Sequence, residues 1–175
     1  MAEKIVAIFG SGTAASDSKE CRTAETLGRQ LSEAGFTIVN GGYGGTMLAA
    51  AKGTASVSGK TIGVTCKAFK GSRANEYITE EIATSNLVER LKTLVRLGQA
   101  YVVLPGSTGT LLELAFVWEL KNKGFMNAGK PIILLGDFWQ PLVKLITDYE
   151  QGTGFHLEMV QTEKQAVELL KAKLR

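Results

Sequence analysis

The sequence predicts an α/β fold: one domain over residues 1–175, with a mostly parallel sheet and helices on both faces. Three observations predict it. Short apolar runs alternate along the chain with longer segments of helical spacing, as in repeated strand–helix units. Glycine-rich turns follow three of those runs directly, at the carboxyl ends where such sheets carry their ligand loops. No linker, repeat or low-complexity tract divides the chain, and 175 residues suit one domain with a substantial core.

Taken in order, Lys4 to Phe9 reads as an apolar strand ending in the small-residue turn Gly10-Ser11-Gly12-Thr13. That turn opens like a dinucleotide fingerprint, but Ala15 stands where a third glycine belongs. Ser16 and Ser18 can cap the next helix, which runs through Ala24, Leu27, Leu31 and Ala34 to a stop at Gly35. Phe36 to Val39 is the second strand. Asn40-Gly41-Gly42-Tyr43-Gly44-Gly45-Thr46 follows it at once, and a small, alanine-rich helix spans Met47 to Ser56. Four glycines in five residues exceed what a tight turn needs, so Gly41, Gly42, Gly44, Gly45 and Thr46 form a candidate phosphate cradle.

Thr61 to Thr65 is the third strand. Lys67 to Tyr77 has no period and reads as a loop able to close partly over a ligand. Ile78 to Ile82 extends that loop or forms a short strand. Asn86 to Leu97 is a helix with Leu87, Leu91, Leu94 and Val95 inward and Glu89 and Arg90 beside that face. Tyr101 to Leu104 is a strand buried on both faces. Ile132 to Leu135 is another. A helix carrying Trp139, Leu142, Leu145 and Ile146 follows, then a loop at Gly152 and Gly154. An edge strand at Leu157 to Gln161 and an amphipathic helix at Glu163 to Leu174 close the chain.

Between the Tyr101 strand and the helix reaching Lys121 lies Pro105-Gly106-Ser107-Thr108-Gly109-Thr110-Leu111-Leu112-Glu113. Gly106 and Gly109 permit backbone forms that a β-carbon forbids, and Thr108 and Thr110 can cap the helix start. Amide groups at such a start, with the positive end of the helix dipole, suit an anion. A carboxylate one turn inside would repel a phosphate, so Glu113 addresses another part of the same ligand.

Composition excludes several classes. The net charge of +3 comes from dispersed basic residues and leaves no extended nucleic-acid surface. With one histidine, His156, and two cysteines without CxxC spacing, Cys21 and Cys66, no metal site or disulfide is expected. No apolar run approaches the ~18 residues of a membrane span, and Met1-Ala2-Glu3-Lys4 leads straight into a strand without a signal-peptide pattern. A cytoplasmic protein without cofactor or metal is expected. Trp118 and Trp139 read as core or interface aromatics. Leu114, Phe116, Val117 and Trp118 give their helix more apolar bulk than one sheet face requires, so it or the Asn86 helix is expected to meet a second subunit in a homodimer or higher homo-oligomer.

These motifs resemble the LONELY GUY-type family, whose members were once labelled possible lysine decarboxylases. The family signature is Pro-Gly-Gly-x-Gly-Thr-x-x-Glu with an upstream arginine. Pro105, Gly106, Gly109, Thr110 and Glu113 match it, Glu89 and Arg90 match the upstream pair, and the Gly41 loop and the Gly10-Ser11 turn fit in order. The resemblance implies a Rossmann-like fold, usually dimeric, and cleavage of the N-glycosidic bond of a nucleoside 5′-monophosphate, such as a cytokinin riboside monophosphate, to base and ribose 5-phosphate. It makes Arg90 and Glu113 catalytic. It leaves Gly10, Ser11, Gly41, Gly42, Gly44, Gly45, Thr46, Gly106, Ser107, Thr108, Gly109 and Thr110 to bind substrate and phosphate. Three departures stand out: Ser107 replaces the second glycine, Leu112 an acidic residue, and Leu91 a lysine. Related branches carry nucleotides or molybdenum cofactor without hydrolysing them, which is the alternative reading. Decarboxylation would need a Schiff-base lysine, and no lysine lies in the glycine loops.

Overall fold

The computed structural model describes residues 3–71, 73–127 and 129–174. Met1 and Ala2, part of the leader reading, and Ser72, within the Lys67–Tyr77 loop, lie outside the described residues. The elements follow in order: β1 (Ile5–Phe9), α1 (Lys19–Glu33), β2 (Thr37–Asn40), α2 (Thr46–Ala55), β3 (Thr61–Cys66), β4 (Glu80–Thr84), α3 (Leu87–Leu97), β5 (Ala100–Val103), α4 (Thr108–Asn122), β6 (Ile132–Leu135), α5 (Gln140–Tyr149), a 3₁₀ turn (Thr153–His156), β7 (Leu157–Val160) and α6 (Glu163–Lys173).

Among the described residues the sheet has seven strands in the order β4-β3-β2-β1-β5-β6-β7, and every pairing is parallel. Strand order reverses at β1, which lies between β2 and β5, with Ile5 opposite Thr37 and Phe9 opposite Val103. Loops leaving β1 and β5 therefore turn to opposite faces, and the crevice between them is where open α/β sheets take ligands. One face packs α1, α2 and α6 over Val6, Ile8, Ile38, Val102 and Ile133. The other packs α3, α4 and α5 over Ala7, Phe9, Val39, Tyr101 and Val103.

The ambiguous segment near Ile78 resolves as β4, two residues later than its sequence suggests. It is an edge strand with Glu80 and Glu81 exposed, so it lacks the apolar run that marks the central strands. Ser18 caps α1 by accepting from the Cys21 amide at 3.2 Å; Ser16 does not. Thr162 and Gln165 form a capping box on α6. Trp118 and Trp139 are buried, donating through Nε1 to the carbonyls of Thr153 (2.7 Å) and Leu104 (2.9 Å). Leu114, Val117 and Trp118 are absorbed by the domain's own core.

The small residues of α2 serve a helix contact as much as the sheet. A β-carbon on Gly28 would stand 2.2 Å from the Ala50 carbonyl oxygen, and one on Gly53 would stand 1.9 Å from that of Glu25. Both obstacles are backbone and cannot rotate away. Gly28→Ala gains up to about 1 kcal/mol of helix propensity but overpacks the α1–α2 contact by about 1–3 kcal/mol. A net loss of up to about 2 kcal/mol is expected once the full propensity gain is subtracted. It would appear as a lower urea midpoint at unchanged slope.

Candidate active site

The site is built around Arg90. Asn86 caps α3, its Oδ1 accepting from the Glu89 amide at 2.9 Å, and Glu89 reaches back to accept from the Ser85 amide at 2.8 Å. Glu89 is therefore a capping residue, its carboxyl held below the usual range chiefly by the Ser85 hydroxyl. It leaves Arg90 unpaired with it and directed inward, 8% exposed. Arg90 Nε donates to the Val64 carbonyl within β3 at 2.7 Å. Its guanidinium carbon lies 5.4 Å from the Tyr43 ring centre and 5.7 Å from that of Phe69.

The Gly41 loop accommodates that side chain. A β-carbon on Gly41 would stand 1.7 Å from Arg90 Nη2. Gly42 has φ +77° and lies against Thr65, and Gly45 has φ +58° with the Ser11 carbonyl oxygen where its β-carbon would be. Three of the four glycines thus have reasons inside the protein, and a β-carbon on Gly44 would meet only the Gly12 carbonyl oxygen, at 3.4 Å. The Gly42 amide donates to Asn40 Oδ1 at 2.8 Å, while the Thr46 amide and hydroxyl both donate to the Ser11 carbonyl, at 2.8 and 3.1 Å. Gly10 is required beside Thr46, whose Oγ1 would lie 2.5 Å from a β-carbon there. The β1 and β2 loops are therefore locked to each other.

Tyr43 is the residue the sequence does not flag. Its hydroxyl accepts from the Cys66 amide at 2.7 Å and lies 3.3 Å from the Cys66 carbonyl, and Asn75 Nδ2 donates to the Tyr43 carbonyl at 2.8 Å. Phe69 comes from the Lys67–Tyr77 loop, so that loop does reach over the site. A lone tyrosine among four glycines was the available signal; Phe69 and Asn75 had none.

The third loop opens α4. Ser107 occupies the cap position with an extended backbone and no side-chain bond. Thr108 and Thr110 do not cap, contrary to the sequence expectation: Thr108 is already helical, and Thr110 is buried with its Oγ1 only 2.1 Å from where a β-carbon on Gly106 would sit. Ser107, Thr108 and Gly109 are exposed, at a helix start without a side-chain cap or a first-turn acid. Glu113 follows one turn in, half-buried. Loss of water pushes its carboxyl up to about 7, against the pull of the Arg90 charge. Arg90 thus lies within electrostatic reach of Glu113, without a direct ion pair between them. Among the described residues no group of three or more His, Cys, Asp or Glu is placed to hold a metal, and no helix is long and apolar enough to cross a membrane.

The doubly wound parallel sheet, with its loops gathered at the β1/β5 switch point, makes this a Rossmann-like α/β protein. It belongs to the SLOG cluster4 family, whose model matches residues 3–167. The LONELY GUY-type resemblance holds with it. A cytokinin riboside 5′-monophosphate phosphoribohydrolase of Rhodococcoides fascians is 28% identical over 148 residues, 82% of this chain and 74% of its own length. One of Mycobacterium tuberculosis is 31% identical over 119 residues, 66% of this chain and 62% of its own. Among solved structures, a molybdenum cofactor binding protein from Rippkaea orientalis superposes with a TM-score of 0.82 at 22% identity, covering 100% of this chain and 99% of its own; that likeness is one of fold.

Because the Arg90 charge lowers the Glu113 carboxyl, Arg90→Met is expected to raise its midpoint above about 7. Carboxyl-carbon NMR titration reads this directly, and an unchanged or lower midpoint would show that the two groups do not communicate.

Proposed function

We propose that the protein hydrolyses the N-glycosidic bond of a nucleoside 5′-monophosphate, an adenosine or cytokinin riboside monophosphate, releasing base and ribose 5-phosphate. The observation that carries this reading is the Arg90–Glu113 pair beside an uncapped glycine turn at the carboxyl edge of the sheet. The 5′-phosphate sits on the amides of Gly106 to Gly109 at the α4 start. With the Gly42 and Thr46 amides already engaged, the Gly41 loop serves mainly to seat Arg90. As the C1′–N bond breaks, positive charge grows on the sugar and ionised Glu113 balances it. Glu113 takes a proton from the water whose oxygen bonds to C1′, and the departing nitrogen keeps the bonding pair and gains a proton from solvent. Arg90, its Nε donating to the Val64 carbonyl, acts through charge and hydrogen bonding.

The departures from the family signature leave this reading intact. Ser107 has φ −99°, which any residue adopts, so glycine is not required there. Leu91 is buried in the core of its face, and Leu112 is 42% exposed. Buried, unbridged Cys21 and Cys66 suit the cytoplasm.

Incubation with adenosine monophosphate and isopentenyladenosine monophosphate should release free base, measured by chromatography. Glu113→Gln should lower the rate by roughly 10²–10⁴. Since the ionised form acts, kcat/KM should rise with pH through about 7. Folded protein that releases no base from any monophosphate would favour the carrier reading. Mass spectrometry of gently purified protein would then seek a bound nucleotide or pterin cofactor.

The same reading includes a homodimer. α3 exposes Leu87 and Val88, 44% and 59%, and α4 exposes Leu112. Sedimentation is expected to give a dimer that Val88→Glu dissociates; a monomer at every concentration would remove this part.

A further inference from the structure

A cavity of about 450 Å³ opens at the carboxyl ends of β5 and β6, and neither Arg90 nor Glu113 lines it. Its walls come from Lys19, Glu20 and Thr23 at the start of α1, Pro105, the Gly136–Phe138 turn, and Gln161 with Glu163. The cavity lies at the β5–β6 side of the carboxyl edge, whereas Arg90 is anchored to β3 and the Gly41 loop, on the far side of β1 in the strand order. Pro105 lines the cavity and opens the Pro105–Thr110 turn.

The walls are preorganised. Gly136 has φ +80° and donates its amide to the Val160 carbonyl at 2.8 Å. Trp139 Nε1 ties the turn after β6 to Leu104 at 2.9 Å, and Phe138 stands edge-on to Trp139 with ring centres 4.8 Å apart at 87°. Phe138 is 54% exposed, an aromatic surface with no partner ring beyond Trp139 among the described residues. Gln161 Nε2 donates to Asp137 Oδ1 at 2.7 Å, which leaves Asp137 Oδ2 and Gln161 Oε1 as acceptors. Glu20 and Glu163 add two more carboxylates against the one cation, Lys19.

That chemistry refuses a phosphate and accepts a flat ring with N–H donors on its edge. The volume falls in the range of small-molecule sites, roughly 300–1,000 Å³. We infer that this cavity holds the second, amine-bearing base of a dinucleotide whose phosphates lie on the Gly106 turn. The inference rests on the proposed phosphate site, and it extends the ligand class from nucleoside monophosphates to compounds with two nucleosides joined through phosphate. One nucleoside meets Glu113; the other crosses Pro105 onto Phe138.

Calorimetry with ADP and with diadenosine pyrophosphate tests it, since the two differ by the second nucleoside. The dinucleotide should bind wild type at least about tenfold tighter, the scale of one base stacked on an aromatic ring. Phe138→Ala and Asp137→Asn, both at exposed positions, should each shrink that ratio severalfold. Equal affinities in wild type, or a ratio that survives both substitutions, would overturn the inference while leaving the monophosphate reading standing. If ADP itself fails to bind, the phosphate site falls first and this inference falls with it.

Discussion

The functional edge of this molecule depends on one buried guanidinium. Burying a charge is unfavourable unless hydrogen bonds and compensating charge surround it. Arg90 has the β3 carbonyl of Val64, the faces of Tyr43 and Phe69, and the field of Glu113. Each of these belongs to a different element, so the charge ties β3, the Gly41 loop, the Lys67–Tyr77 loop and α4 into one unit. Removing the side chain from Gly41 is what makes the room, because any β-carbon there would overlap the guanidinium.

The remaining glycines show the same constraint. At the switch point of the sheet the β1 and β2 loops are close enough that backbone meets backbone at Gly45. Gly45 faces the Ser11 carbonyl, Gly10 faces Thr46, and Gly106 faces Thr110. Thr46 and Thr110 are both buried: the Thr46 hydroxyl donates to the Ser11 carbonyl of the β1 loop, and that of Thr110 packs against Gly106 of its own turn. What these loops leave facing solvent is Gly12 and Thr13 after β1 and Ser107, Thr108 and Gly109 at the α4 start.

Much of this was legible in the sequence, and the failures have physical causes. Apolar runs found the buried strands because both faces are covered; β4 was ambiguous because an edge strand keeps charged residues. The glycine loops were found, but glycine density reports close approach without saying what approaches. At Gly41 it is an arginine forty-nine positions later in the chain, and no local pattern encodes that. Arg90 and Glu113 were legible only through the family signature; spacing alone would have placed Arg90 beside Glu89 on the surface. The threonines of the α4 start were misread because a hydroxyl at a helix start normally caps, whereas here Thr110 turns inward over Gly106.

The raised carboxyl of Glu113 bears on which chemistry the pocket can support. A phosphate bound at the α4 start brings negative charge close to a carboxyl that burial already holds near neutrality, and like charge pushes it further toward the protonated form. A protonated Glu113 can donate a hydrogen bond to a bound ligand but cannot balance a cationic sugar. Ionisation with ligand present therefore requires a positive charge that stays in place, and Arg90 is the buried cation whose field reaches that carboxyl. The aromatic clamp and the missing side chain at Gly41 fix that charge, so under the proposed hydrolysis the ionisation of Glu113 depends on how firmly Arg90 is held.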